Sequence, residues 1–392
     1  MPVQCGFVEA LLHAYLTLMM TPKLGPRKIK LLSEHVGDAQ QICQASAEQL
    51  RAVPGIGATL VQNILQARQG AAAKAAELEM QKAAKLEVQL LCLADPAYPL
   101  SLRAIFDPPP VLYVRGELPP TLQTAFEHLR SLAIVGTRHP SDYGLRLSRD
   151  FAQRLATVGV TVVSGLAAGV DGAAHQGAMQ AAQGQTIAVL GCAVNVTYPR
   201  HHRGIAEKIC QGHGALVSEY PLDTAPRAEY FPARNRIING LARGVLVVEG
   251  GLKSGALITA DYALEEGRNV FAIPGRVGDP QAIGCNTLLK QGAILTQDVS
   301  DILSEYAWQE HAADSTADST TSSTTSSTSD ALRSLPAEQQ VLVTAIVQHG
   351  SPLLDDLMLA TGKEATELLP MLMLLELQGV VQSLPGGRYV CR

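Results

Sequence analysis

The sequence predicts an α/β protein built on an extended Rossmann-like domain with a mostly parallel sheet, carrying a helical domain in front and a winged helix behind. Three observations carry this. In the middle of the chain, apolar runs of four or five residues alternate with stretches of helical length. Such runs are what a sheet covered on both faces by crossover helices requires. The first part of the chain instead reads as short helices joined by glycine turns, and a Ser/Thr tract sets off the last segment.

The front domain is expected over residues 1–87. Its clearest piece runs from Leu50 through Pro54, Gly55, Ile56 and Gly57 to Leu65, an apolar helix end, a Pro-Gly-x-Gly turn and a second apolar helix. This resembles the helix-hairpin-helix (SAM-like) family, whose turn amides hold a DNA phosphate because glycine lets consecutive N–H groups converge at a helix N-terminus. A rougher copy spans Leu24 to Leu32. The same pattern also serves a packing module that only needs tight turns, and no basic residue follows Gly57 before Arg68. Residues 71–87, rich in Ala, Lys, Glu and Gln, read as a closing helix that acts as a spacer.

Residues 88–305 form the central domain. Buried strands are expected at Leu132–Val135, Val160–Ser164, Thr186–Leu190, Ala215–Ser218, Gly244–Val248 and Asn269–Ile273. Helices are expected at Gly144–Val158, His175–Gln183, Arg203–Gln211, Asn235–Leu241 and Ser254–Gly267, and Val111–Gly116 reads as a strand on an added edge. Residues 306–331 are a flexible linker, since Ser and Thr bury no apolar surface. Residues 332–392 follow as three helices (Ala337–Gln348, Pro352–Ala360, Glu364–Gln378) and a β-ribbon from Val380 to Val390, the plan of a winged helix.

Totals narrow the function classes. The 392 residues carry a net charge of −5, yet residues 301–392 hold 4 Lys or Arg against 12 Asp or Glu, so the remainder is slightly basic. A ligand feels that local field rather than the average. Seven scattered cysteines without a CxxC pair favour a reducing cytoplasm over a disulfide scaffold. No apolar run is long enough to span a bilayer, so membrane insertion is not expected.

Ligands of doubly wound sheets bind at the carboxyl ends of strands, so the exit loops carry the functional signal. The first, Gly136 to Gly144, lacks GxGxxG but turns into a helix N-terminus beside Arg138, which suits an anion. The second, Ser164 and Gly165 to His175, leaves backbone amides bare and suggests a second anion nest. Asp171 and His175 stand one helical turn apart and are expected to pair. Neither a metal ligand set nor a nucleophile elbow is formed, and no nucleotide cofactor is expected. The densest signal is residues 219–240, where Arg227, Arg234 and Arg236 surround Tyr230 and Phe231, with Asn235 placed to cap the next helix. Arginine on phosphate and an aromatic face under a base is the pairing that sequence-tolerant single-strand binding needs. Arg200, in a stretch of Tyr, Pro, Arg and His, repeats the mixture, and Lys253 with Ser254 opens one more amide-rich turn. A row of phosphate-friendly loops suits a polymer better than one small cofactor.

Gly136-Thr137-Arg138 with Ser141 and Tyr143-Gly144, Ser164–Ala167 with Gly169, Asp171 and Ala174-His175, Phe231–Ile238 with Gly240-Leu241, and Ser254–Ala260 together resemble the bacterial DNA-processing protein A (DprA/Smf) family over about residues 90–300. The resemblance implies single-stranded DNA binding in natural transformation, protection of incoming strands, help in loading a RecA-type recombinase, and a homodimer through the central domain. It places DNA-contact positions on Arg138 and Arg227, and carries the aromatic-Pro-x-Arg-Asn-Arg stretch onto Tyr230–Arg236. The alternative is a nucleotide-processing enzyme of the Rossmann-like phosphoribohydrolase type, whose Gly-Gly-x-Gly-Thr-x-x-Glu signature is absent here. In the winged helix the third helix carries Glu364, Glu367 and Glu376, which predicts contact with protein rather than with a duplex.

Overall fold

The computed structural model describes residues 2–308, 336, 339, 342–343, 346, 353–363, 365–377, 381–384 and 388–391. Two compact units are resolved, residues 1–312 and 313–392.

The first unit opens with six helices: α1 (Pro2–Met19), α2 (Pro26–His35), α3 (Ala39–Gln44), α4 (Ala47–Arg51), α5 (Ala58–Ala67) and α6 (Ala71–Lys85). Short helices need explicit ends, and here the ends are built in. Asp38 with Gln41, and Ser46 with Gln49, form reciprocal capping boxes at α3 and α4. Gly55 takes φ +81° in the turn between α4 and α5, a left-handed conformation that favours glycine. Leu16, Leu18, Ile29, Leu32, Ile42, Leu50 and Ile64 bury the shared core.

A nine-stranded sheet follows, made of β1 (Gln89–Cys92), β2 (Val111–Gly116), β3 (Ser131–Val135), β4 (Thr161–Ser164), β5 (Thr186–Val189), β6 (Gly214–Ser218), β7 (Gly244–Val247), β8 (Asn269–Ala272) and β9 (Ile294–Leu295). Its order is β1-β2-β6-β5-β4-β3-β7-β8-β9. From β6 to β9 every pairing is parallel, whereas β2 joins β6, and β1 joins β2, antiparallel. The Val111–Gly116 strand is therefore not the edge; β1 is. The strand order turns between β3 and β7, so the crevice that such sheets offer to ligands lies between their exit loops.

Between the strands lie α7 (Leu100–Arg103), α8 (Asp142–Thr157), α9 (Val170–Ala178), α10 (Arg203–Lys208), α11 (Tyr230–Gly240), α12 (Gly255–Glu265), α13 (Ile283–Lys290) and α14 (Val299–Glu305). Phe151, Leu155, Val170 and Ala174 of α8 and α9 pack one face of the sheet, and Ile237, Ile238, Ala256 and Ala260 of α11 and α12 pack the other. Helix α11 begins at Tyr230, well before the Asn235 start expected. Pro232 falls in its first turn, where a missing N–H removes no helical bond, so the proline is accommodated rather than breaking the helix. Asn235 consequently lies inside the helix and is not its cap.

The second unit shows α15 (Leu354–Thr361), α16 (Ala365–Leu377) and the antiparallel ribbon β10 (Val381–Leu384) and β11 (Arg388–Cys391). Most of the expected 337–348 helix, and nearly all of the expected linker, lie outside the described residues. Leu357, Leu368, Leu372 and Leu375 are buried, whereas Leu369, Met373 and Leu374 are exposed on α16. Leu375 is thus part of the core, and Leu374 is not.

Candidate nucleic-acid interface

The crevice at the turn of the strand order holds a cleft of about 480 Å³, lined among others by Gly136, Arg138, Phe231, Lys253, Ser254 and Gly255. Arg138 arrives from the β3 exit, Lys253 from the β7 exit, and Phe231 from the first turn of α11. Arg138 and Lys253 are exposed. The Arg138 guanidinium lies 5.2 Å from the Phe231 ring centroid, and Phe231 in turn meets Tyr198 at 5.5 Å. Ser254 caps α12 by accepting the Ala256 amide at 3.3 Å, so this helix N-terminus opens on the cleft.

Beside the cleft, the loop before α11 carries exposed Arg227, which sits 5.7 Å from the Tyr230 ring centroid. Tyr230 is stacked on Tyr220 at 4.0 Å. One face of Tyr230 is therefore already taken by protein, which narrows the expectation that it stacks a base. The loop is held from behind by the front helices. Glu79 of α6 accepts the Leu222 amide at 2.7 Å, Lys82 pairs with Asp223, and Asn195 bonds Asp223 through both its amide atoms.

Not every expected contact reaches this surface. Arg234 is buried, with 4% of its surface exposed. Its guanidinium donates to the carbonyls of Gly165, at 2.7 Å, and Val189, and lies 3.8 Å from the Asp171 carboxylate. Burial pushes the Arg234 pKa down and that of Asp171 up, and the attraction between the two charges opposes both shifts. Arg236 is equally enclosed: its two terminal nitrogens meet the Glu219 carboxylate at 2.7 and 2.6 Å, and Nε meets Asp107 at 3.1 Å. Asn235 bonds the Gly255 carbonyl at 3.4 Å, Ser164 donates to the Ile134 carbonyl at 2.6 Å, and Gly165 leaves no room for a side chain beside Arg234. These five residues were expected to face a strand of DNA; the fold buries all five as supports, with Arg234 and Asn235 still lining the floor of the cleft. The reason is position: Arg234, Asn235 and Arg236 belong to the buried stretch Arg234–Gly240 of α11, and Ser164 and Gly165 to the buried exit of β4. Arg200 is exposed but lines a separate depression with Arg115, Arg203 and Glu207.

In both glycine loops read as anion nests, a carboxylate of the chain itself accepts from the loop. In the second, the Ala167 amide lies 3.4 Å from the Asp171 carboxylate. Asp171 therefore faces its own loop and Arg234, while His175 bonds Thr186 at 2.7 Å; the expected Asp171–His175 pair does not form. In the first, Glu249 at the β7 exit accepts the Ser141 amide at 2.9 Å and the Ser141 hydroxyl at 2.5 Å. Neither Glu249 nor the nest-filling role of Asp171 was read from the sequence. The available signal was an acid at the exit of the strand across from Gly136. Among the described residues, no group of three or more His, Cys, Asp or Glu is placed to hold a metal, and no helix is long and apolar enough to cross a membrane.

Residues 89–307 match the family model described as DNA recombination-mediator protein A, residues 15–69 a SAM-like helix-hairpin-helix tandem, and residues 326–387 the DprA winged helix domain. Protein Smf of Escherichia coli is 43% identical over 294 residues, which is 74% of each chain. Protein Smf of Synechocystis sp. is 34% identical over 390 residues, 93% of this chain and 95% of that one. The X-ray structure of DNA processing protein A from Streptococcus pneumoniae aligns with a TM-score of 0.63 at 31% identity, covering 76% of this chain and 99% of that one.

Proposed function

The chain belongs to the DNA-processing protein A (DprA/Smf) family of DNA recombination mediators, and from that premise we propose that it binds single-stranded DNA without sequence preference along the strand-exit face of its central domain. The observation that carries this reading is the cleft between β3 and β7, where exposed Arg138 and Lys253 flank Phe231 with Arg227 on the adjoining loop. Phosphates meet these side chains and the α12 turn, while bases meet the ring edges left open by Phe231, Tyr198 and Tyr230. Arg234, Arg236, Asn235, Ser164 and Gly165 position those groups from below. Arg200 extends the path only if the strand runs on toward α10.

The same reading has the protein act in the cytoplasm on DNA taken up during natural transformation, protect it, and help load a RecA-type recombinase, as a homodimer through the central domain. Two copies would double the number of phosphate contacts on one strand. Exposed Leu369, Met373 and Leu374 beside Glu367 on α16 support a protein partner for the winged helix rather than a duplex. The test is fluorescence anisotropy with a labelled oligonucleotide across a salt series. Binding should favour the single strand over the duplex, and log K should fall linearly with log salt, by about 0.7 per phosphate held on a single strand. A protein indifferent to salt, or one that turns over a nucleoside monophosphate instead, would overturn the reading in favour of the nucleotide-processing alternative.

A further inference from the structure

We propose that Glu249 is a specificity-determining residue: its carboxylate occupies the phosphate position of the Rossmann-like crevice and so keeps free phosphate and nucleotide phosphomonoesters off the α8 N-terminus. In a doubly wound sheet, the helix after the strand beside the switch receives the cofactor's phosphate, because its N-terminal amides and dipole attract an anion there. Here that helix is α8, and the strand is β3.

The amides of that turn already have an anion. Ser141 N–H and O–H donate to the two oxygens of Glu249 at 2.9 and 2.5 Å, and the Ser141 hydroxyl oxygen accepts the Gly144 amide at 3.1 Å. Gly144 has no side chain, and a Cβ at that place would overlap the Glu249 carboxylate. The backbone is fixed as well, since Thr137 N–H donates to the Glu249 carbonyl at 2.7 Å. Among the described residues, no Lys or Arg forms an ion pair with Glu249, so the helix end rather than a cation stabilises its charge. Glu249 is 8% exposed, which makes it a fixed part of the turn.

A phosphate cannot share that place with a carboxylate, because like charges at contact distance repel and one set of amides serves one anion. Anions reaching this face are thereby left to the rim cations Arg138 and Lys253, which hold a strand by several phosphates and a lone phosphate only weakly. The inference rests on the DNA reading for that last clause alone.

The experiment titrates inorganic phosphate and adenosine monophosphate into the full-length protein at constant ionic strength, by calorimetry and by the shift in Tm. Wild type should show no saturable site in the millimolar range. Glu249→Ala and Glu249→Ser, which empty the position, should each gain at least tenfold in phosphate affinity, and phosphate should raise their Tm but not that of wild type. Glu249→Gln, which keeps the volume filled, should not gain. Adding Ser141→Ala to Glu249→Ser should weaken the new site. Tm shifts read binding even in a variant of reduced stability. Equal phosphate affinity in wild type and both emptied variants would overturn the proposal. Oligonucleotide binding by wild type, measured alongside, is a separate result: its failure would defeat the DNA reading, and phosphate gain would still be read on its own.

Discussion

Arg227 and Arg234 stand on the same loop-to-helix segment, and the fold uses them in opposite ways. Arg227 is exposed and rests against the ring of Tyr230. Arg234 is 4% exposed in the floor of the cleft, bonded to two strand-end carbonyls and facing Asp171. One arginine is a contact and the other a strut. The difference teaches that a cluster of guanidinium groups in sequence measures phosphate binding only after those that tie loops together have been subtracted. Here the strut works across the sheet, joining the β4 exit, the β5 end and α11, and these loops shape the floor of the cleft.

The sharpest way to break this contrast is Arg234→Ala. It leaves the Asp171 carboxylate buried without its cation and two carbonyls without a donor, and a buried pair broken on one side costs about 3–5 kcal/mol. Urea denaturation should show a loss of that size. A loss below about 1 kcal/mol would place Arg234 among ordinary surface residues and remove the distinction.

The interior that accepts Arg234 refuses a proton on His175. That ring is fully buried, and burial, helped by the nearby charges of His202 and Arg234, lowers its pKa from 6.5 to about 3. Thr186 donates its hydroxyl to the Val162 carbonyl, so it accepts from Nδ1–H of a neutral His175. A folded-state pKa depressed below the unfolded value means that the unfolded chain takes up the proton first. The contribution of His175 is therefore complete above pH 6.5 and is lost as pH falls toward 3, with a slope of at most about 1.4 kcal/mol per pH unit. Comparing urea midpoints of wild type and His175→Gln at pH 7 and pH 5.5 isolates it. The wild type should lose more stability than the variant over that interval, and parallel losses would refute the assignment.

At the rim, the order of effects reverses. Arg138→Ala, Arg227→Ala and Lys253→Ala should each leave stability within about 0.5 kcal/mol of wild type, because their side chains end in solvent. Each should instead weaken oligonucleotide binding and lower the salt slope by about 0.7. A variant that lost stability but kept its slope would move that residue to the strut class.

How much of this was legible beforehand follows the same line. Six buried strands were readable, because apolar runs bounded by glycine allow few other arrangements; the starts of α9 at Val170 and α11 at Tyr230, each five residues before the helix expected, were not, nor were β1 and β9, short edge strands with little periodicity. The exit loops were readable as chemistry. Which way each side chain turns was not, since Arg234 and Arg227 differ only in what packs over them. The fillers of the two anion nests were hidden for a related reason. Glu249 reaches Ser141 across more than a hundred residues of chain, and nothing local marks an acid as another loop's partner.

The smallest expected effect tests whether exposure alone weakens a cation's hold. Arg154 on α8 meets Asp298 through two parallel hydrogen bonds at 2.7 and 2.8 Å, an ideal fork, yet the two side chains remain 44% and 48% exposed. The Arg154 hydrogen bonds, and next the Ser300 amide, hold the Asp298 carboxyl well below the usual carboxylate range. A depressed carboxylate adds stability above the unfolded pKa and loses it as pH falls through the folded one, so the pair's contribution is complete above about pH 4 and declines progressively below it. Water and salt screen it. Arg154→Ala should therefore cost about 0.5 kcal/mol at pH 7, and less in high salt. Asp298→Ala should cost about 1 kcal/mol, because Asp298 also caps α14 by accepting the Ser300 amide at 3.0 Å. If Arg154→Ala instead cost as much as Arg234→Ala, geometry rather than burial would decide what a guanidinium contributes in this fold.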